Sequence, residues 1–186
     1  MQNPFLIGSK IYLRPLDLED IAALTMWLND PEVTRNMLIY RPLTRMAEEA
    51  FLRKISESES DFVLGMMVRE TEQFIGVAGL HHLDVRNRHV SFGICVGEKS
   101  AWGKGYGTET TRLMVRHAFD TLNLNRLWLH VYEYNERAVR VYQKVGFQIE
   151  GRLRQDTFRD GRYWDTIVMA VLREEWGAAR SEGAEN

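Results

Sequence analysis

The run Val96-Gly97-Glu98-Lys99-Ser100-Ala101-Trp102-Gly103-Lys104-Gly105-Tyr106-Gly107-Thr108-Glu109 decides how this chain is read, because it joins an apolar strand to a helix through three closely spaced glycines. The first amides of a helix have no intrahelical acceptor and carry the positive end of its dipole, so a helix start binds phosphate. Glycine at 103, 105 and 107 removes side chains that would hold a bulky diphosphate off those amides, and it allows positive φ. The bland alternative is a tight turn that merely starts a helix. Two better-known phosphate loops do not fit. The pattern G-x-x-x-x-G-K-[ST] fails because one residue too many separates Gly97 from Gly103, and Gly105 stands where a hydroxyl is needed. The pattern G-x-G-x-x-G fails at Thr108, and the strand before it belongs to a meander.

Upstream, Ser9 to Pro15 reads as a short strand ended by its proline. Asp17-Leu18-Glu19-Asp20 opens a helix with Ile21, Leu24 and Leu28 on one face, and Asn29-Asp30-Pro31 ends it. Residues 32–43 read as a loop rich in large side chains, and Thr44 caps a second helix striped by Ala47, Phe51 and Ile55. The period then becomes that of strands: Phe62 to Arg69, Phe74 to Leu83 and Arg88 to Val96 form an antiparallel meander. Downstream of the glycines a long helix runs to Asn123, followed by a strand from Arg126 to Tyr132 and a helix from Asn135 to Val145 stopped by Gly146. Phe147 to Leu153 and Tyr163 to Leu172 are two closing strands, with Arg159-Asp160-Gly161-Arg162 at the tip of the loop between them. The pattern predicts one α+β domain over residues 1–176, with a mixed central sheet of about seven strands, about four flanking helices, and a flexible tail at 177–186.

At 186 residues the chain is long enough for one real core and short for two domains. A formal charge of −2 provides no basic field for a phosphate backbone, so nucleic acid is not an expected partner. The single cysteine excludes an internal disulfide and fits a reducing cytoplasm, and Cys/His spacing for structural zinc is missing. No apolar run approaches a membrane span, and the start has no basic segment followed by an apolar core, so neither membrane insertion nor secretion is expected. His81-His82 reads as a strand end rather than a metal site, for want of a third ligand; no metal is expected.

A second motif narrows the function. In Asn135-Glu136-Arg137-Ala138-Val139-Arg140-Val141-Tyr142-Gln143-Lys144-Val145-Gly146-Phe147, Asn135 and Tyr142 lie close to two helical turns apart and share a face. Together the two motifs resemble the GNAT superfamily of acetyl-CoA-dependent N-acetyltransferases, from about residue 9 to 176. Within it, Trp102-Gly-Lys-Gly-Tyr-Gly-Thr-Glu109 and Gly161-Arg-Tyr-Trp-Asp165 are most similar to the RimJ/RimL and spermidine acetyltransferase branch. Trp102 departs from the usual Gln or Arg, at a position that contributes mainly a backbone amide.

The resemblance implies that Trp102, Gly103, Lys104, Gly105, Tyr106, Gly107 and Thr108 cradle the pyrophosphate of acetyl-CoA, and that the backbone of Cys95, Val96 and Gly97 pairs with its pantetheine arm like an extra strand. It also implies direct attack of an amine on the thioester in a ternary complex, which needs two proton handlers. Tyr142 matches the tyrosine that protonates the leaving sulfur, and Asn135 is both an N-cap and the position that contacts cofactor or an ordered water. His130, in Leu127-Trp128-Leu129-His130-Val131, stands where RimI carries a glutamate, and histidine titrates near neutrality; it is either the base or a hydrogen-bonded histidine under a helix. Ser91 replaces the acidic residue of many relatives, and Cys95, without an adjacent base, reads as core rather than nucleophile.

The acceptor expected is a primary amine on a small metabolite or a protein N-terminus, with a polyamine or an aminoglycoside as alternatives and a homodimer as a compatible state. A non-catalytic acyl-CoA sensor is the rival from another class, and the retained Tyr142 speaks against it. The acceptor should be chosen by residues 32–43 and Gly151–Tyr163, both mixed in charge: Glu32 beside Arg35 and Arg41, then Asp156 and Asp160 beside Arg152, Arg154, Arg159 and Arg162.

Overall fold

The strand-type runs assemble into one mixed sheet, and the single place where that sheet is parallel is also where it opens. A computed structural model describes residues 1–177. Strands β1 (Leu6–Ile7), β2 (Ile11–Pro15), β3 (Phe62–Val68), β4 (Phe74–Asp84), β5 (His89–Val96), β6 (Arg126–Tyr132), β7 (Gln148–Arg159) and β8 (Arg162–Leu172) lie in the order β1-β2-β3-β4-β5-β6-β8-β7. Helices α1 (Ile21–Leu28), α2 (Pro31–Thr34), α3 (Arg45–Ser56), α4 (Tyr106–Arg116) and α5 (Glu136–Val145) complete the α+β fold. Every neighbouring pair is antiparallel except β5 and β6, joined through the α4 crossover.

That parallel pair is short: His89, Val90 and Ser91 face Arg126, Leu127 and Trp128, and there the register ends. β5 continues alongside β4 as far as Val96, while β6 continues alongside β8 as far as Tyr132. The two strands therefore part into a wedge, leaving the β6-facing edge of β5 unpaired from Phe92 onward.

Strand alternation sorts side chains onto two faces. Leu127, Leu129 and Val131 of β6 and Val90 and Phe92 of β5 turn toward α4 and α5, in a core with Leu113, Met114, Tyr142 and Val145. Cys95 turns the other way, into a smaller cluster with Leu24 and Trp27 of α1, Val33 of α2 and Trp102.

Several expectations are corrected. The sheet has eight strands because Leu6–Ile7 pairs with β2. The loop after α1 contains α2, with Pro31 at its start and Asp30 capping it through the amide of Glu32. In α3, Thr44 caps as expected, but the inward residues are Glu48, Leu52 and Ile55, while Ala47 and Phe51 face solvent. The helical phase set by the cap turns these toward α1, and burial raises the pKa of Glu48. In α1, Trp27 is buried where Leu28 is only half-buried. The last part of the long helix widens into a π turn, His117–Thr121. β7 runs through the residues expected to loop, its register slipping between Leu153 and Thr157, and meets β8 at the tight turn Asp160-Gly161, both at positive φ. Trp176 packs half-buried against the core, and the tail expected beyond it lies, apart from Gly177, outside the described residues. Among the described residues, no helix is long and apolar enough to cross a membrane.

Candidate active site

The glycine-rich turn starts α4 with two left-handed residues, Gly103 at φ 80° and Gly105 at φ 86°, conformations that a β-branched side chain resists. A Cβ at either would meet nothing within 4 Å, so the space above the turn is open and the demand for glycine is conformational. Gly107 differs: it is helical, and a Cβ there would rest 3.9 Å from Val96 and 4.0 Å from Ile94. Of the three glycines, only two use positive φ. Gly105 is the N-cap residue of α4 and, having no side chain, leaves the first-turn amides to whatever occupies that space. Glu109 fixes the helix start from behind, accepting from Ser9 Oγ at 3.1 Å and from the Lys10 amide at 2.9 Å.

Two tryptophans brace the segment leading into this turn. The Trp102 indole donates from Nε1 to the carbonyl of Val96 at 2.8 Å, closing the segment into a fixed arc. A Cβ on Gly97 would fall 2.2 Å from the Trp27 ring, so this glycine is required by packing. Lys99 ties the same segment to α2, its Nζ lying 2.7 Å from Asp30 and 3.0 Å from Glu32. Lys104 is exposed.

The wedge is bounded on the α4/α5 side by Tyr142. Asn135 caps α5, its Oδ1 accepting from the Ala138 amide at 3.2 Å. Gly146, at φ 104°, ends the helix: its amide donates to the Gln143 carbonyl and the Phe147 amide to the Tyr142 carbonyl, each at 3.0 Å. Held between these stops, the Tyr142 ring packs edge-on to Phe92, the first β5 residue beyond the parallel register, with centroids 6.4 Å apart, and against Phe147 at 5.7 Å. Its hydroxyl has no hydrogen-bond partner among the described residues, and burial pushes its pKa up to about 12. Asn135 spends its carbonyl oxygen on the cap and keeps its amide donors.

His130 is brought to the wedge from the opposite face. Its register partner is Val168, and its ring lies exposed, edge-on to Trp128 with centroids 5.2 Å apart. The reading of a histidine under a helix is therefore wrong: alternation turns His130 away from α5. Cys95 belongs to the Trp27 cluster, and burial pushes its thiol up to about 11. The Ser91 hydroxyl donates to the His81 carbonyl at 3.0 Å, a structural role.

Beyond His130, the same face carries an aromatic wall. Tyr132 stacks on Tyr134 at 5.3 Å, Tyr134 meets Trp164 at 4.9 Å, and the Arg162 guanidinium lies over Trp164. Arg159 fastens the β7–β8 hairpin to α2, donating to the carbonyls of Thr34 and Met37 at 3.0 Å and also to that of Arg35, while the Tyr134 hydroxyl donates to the Arg35 carbonyl at 3.0 Å. The two segments expected to choose the acceptor thus form one surface. Tyr134 and Trp27 carry no mark in the sequence, and Arg159, expected in the acceptor segment, acts instead as a strap to α2, since each works through a partner remote in the chain.

Comparison with known proteins agrees with this geometry. Residues 10–148 match the family described as acetyltransferase (GNAT) domain. The chain is 29% identical over 178 residues to the uncharacterized N-acetyltransferase p20 of Bacillus licheniformis, covering 92% of this chain and 97% of that protein. It is 30% identical over 177 residues to a spermidine N(1)-acetyltransferase of Vibrio cholerae, covering 91% and 97%. Its fold is similar to the crystal structure of spermidine N-acetyltransferase from Vibrio cholerae in complex with CoA and spermine, with a TM-score of 0.84 at 24% identity, covering 91% of this chain and 99% of that one. Open glycine turn, parted strands and buried tyrosine thus stand in a chain that belongs to the GNAT family of acetyltransferases, enzymes that move an acetyl group onto an amine.

Proposed function

We propose that acetyl-CoA lies in the β5–β6 wedge, that a small amine reaches it from the α2 side, and that the chain is a cytoplasmic enzyme of the RimJ/RimL-like branch. The observation that carries this reading is that Tyr142 and His130 flank the wedge from opposite faces of the sheet. Acid and base on opposite sides suit a reaction in which a nucleophile enters from one side and a leaving group departs toward the other.

Bound there, acetyl-CoA supplies an electrophilic thioester carbonyl and a thiolate leaving group. The chain does the rest. Amides from Gly103 to Thr108 hold the diphosphate, the Trp102 amide being already given to the Lys99 carbonyl at 3.1 Å, and the free edge of β5 with Cys95, Val96 and Gly97 takes the pantetheine arm as an added strand, the Val96 carbonyl already sharing one lone pair with Trp102. Tyr142, raised to about 12, stays protonated throughout the physiological range and donates to the sulfur as negative charge gathers there. His130 receives the proton of the incoming ammonium, directly or through water, and the Asn135 amide is free to position cofactor or that water.

The test is acetyl-CoA turnover against a mixed amine panel containing a peptide with a free N-terminus, an amino sugar and spermidine. Amine-dependent CoA release is expected. Tight acetyl-CoA binding with no acetylated product from any amine would reduce the chain to a binding module and reject the reading. With an accepted amine, His130→Ala should lower kcat/KM; an unchanged rate would leave proton removal to solvent.

A further inference from the structure

We propose that the acceptor is a monoamine bearing an anionic group, a carboxylate or a phosphate, and that Arg35 holds that anion at the outer end of the aromatic wall. This rests on the acetyl-transfer reading above and adds the identity of the acceptor's second group.

The inference comes from which charges along this face are already spent. Asp30 and Glu32 are paired with Lys99, and Glu133 and Asp165 are both paired with Arg152, at 2.9 and 3.0 Å. Among the described residues of the two acceptor segments, Asp156 and Asp160 are the carboxylates without an ion pair, whereas Arg35, Arg41, Arg154, Arg159 and Arg162 have no carboxylate partner. Arg159 gives its donors to backbone carbonyls, which fix its position without cancelling its charge. Lys99 and Arg152 each offset one of the two carboxylates they hold, so the face is close to balanced overall, and its unpaired charges are mostly arginines, Arg35 among them. An anionic group is drawn to an unpaired guanidinium on this face, where no carboxylate has to be displaced first.

Arg35 is the arginine placed to make the contact. Its carbonyl is pinned by Tyr134 and Arg159, so its backbone is anchored, while its guanidinium is exposed and close enough for its charge to act on the Tyr134 hydroxyl. A guanidinium presents a planar fork that matches carboxylate or phosphate. Between it and His130 run Tyr132 and Tyr134, whose stacked rings offer an apolar path for the body of a small molecule.

The experiment compares matched acceptors under saturating acetyl-CoA: glycylglycine against its C-terminal amide, phosphoethanolamine against ethanolamine, and spermidine. The anion-bearing member of at least one pair should exceed its neutral partner, and spermidine, by about tenfold in kcat/KM, a charge-assisted hydrogen bond's worth. Preference in the peptide pair alone names a carboxylate, and in the ethanolamine pair alone a phosphate. Arg35→Gln should erase the preference by raising KM for the charged member toward that of its neutral partner, and Arg35→Lys should restore part of it. Equal rates within both pairs, or spermidine as the best acceptor, overturn the proposal while leaving acetyl transfer intact. Absence of acetylation with every amine rejects the acetyl-transfer reading itself, and this inference with it.

Discussion

The two walls of the wedge are built from different materials. The β5–α4 wall is backbone: an unpaired strand edge, two left-handed glycines and a helix start that no side chain caps. The opposite region, from β6 through the β7–β8 hairpin to α2, is side chain: stacked tyrosines, a tryptophan under an arginine, and Arg159 gripping carbonyls more than a hundred residues away. A backbone wall suits a ligand that every member of a family shares. A side-chain wall can be rebuilt one residue at a time to suit a new acceptor.

The contrast can be broken at four points. Tyr142 sits between the walls, and as the proposed proton donor its hydroxyl serves the chemistry while its ring serves the core, so Tyr142→Phe should lower kcat by ~10²–10⁴-fold with acetyl-CoA affinity and acceptor KM nearly unchanged; steady-state kinetics beside calorimetric titration separates the quantities. Because Tyr142 is raised to about 12, the wild-type kcat profile should also show no basic limb from this residue below about pH 10. Gly105→Val attacks the backbone wall, forcing a β-branched residue into φ 86° at the cap of α4. Acetyl-CoA affinity should fall by at least ~10²-fold, a loss visible by titration, whereas Lys104→Ala, an exposed side chain, should cost only a few-fold.

On the other wall, Arg159→Ala releases α2 from the hairpin. Acceptor KM should rise by about tenfold while acetyl-CoA affinity stays at the wild-type value. A matching loss of both affinities would mean that the walls are one cooperative unit, joined through Lys99 and α2.

The smallest effect tests the core away from both walls. His117 is buried edge-on to Phe5 and Phe62, its Nδ1 unpartnered, and burial lowers its pKa from the usual 6.5. The unfolded chain then binds the proton more readily than the native state, so stability falls as pH drops below about 6.5 and keeps falling until the lower native pKa is passed. His117→Gln should flatten part of the decline in Tm between about pH 7 and 5, His81, also lowered by burial, keeping the remainder.

The same division explains what could be read from sequence. Backbone features leave local marks: Gly103 and Gly105 at a strand-to-helix junction, Asn135 and Gly146 bracketing a helix, Asp160-Gly161 at a tight turn. Strand alternation and the two motifs sufficed for the α+β class and for the motif-bearing helices. Side-chain contacts between distant segments leave no such mark. Nothing local to Gly97 announces the Trp27 ring, nothing around Arg159 points to α2, and the inward turn of Glu48 follows from packing against α1. The face on which His130 lies was implicit in the alternation of Leu127, Leu129 and Val131, but its exposure depends on what covers that face.

The parting of β5 from β6 also bears on how long the protein survives. A strand whose amides and carbonyls lack a neighbour is an internal seam, the kind of edge other chains can stick to. If acetyl-CoA closes that seam, it is a folding ligand as well as a substrate: at a free concentration of one hundred times its Kd it would add about 2.7 kcal/mol to the native state. The enzyme's unfolding temperature would then rise with the free acetyl-CoA concentration and fall back when the thioester is withdrawn.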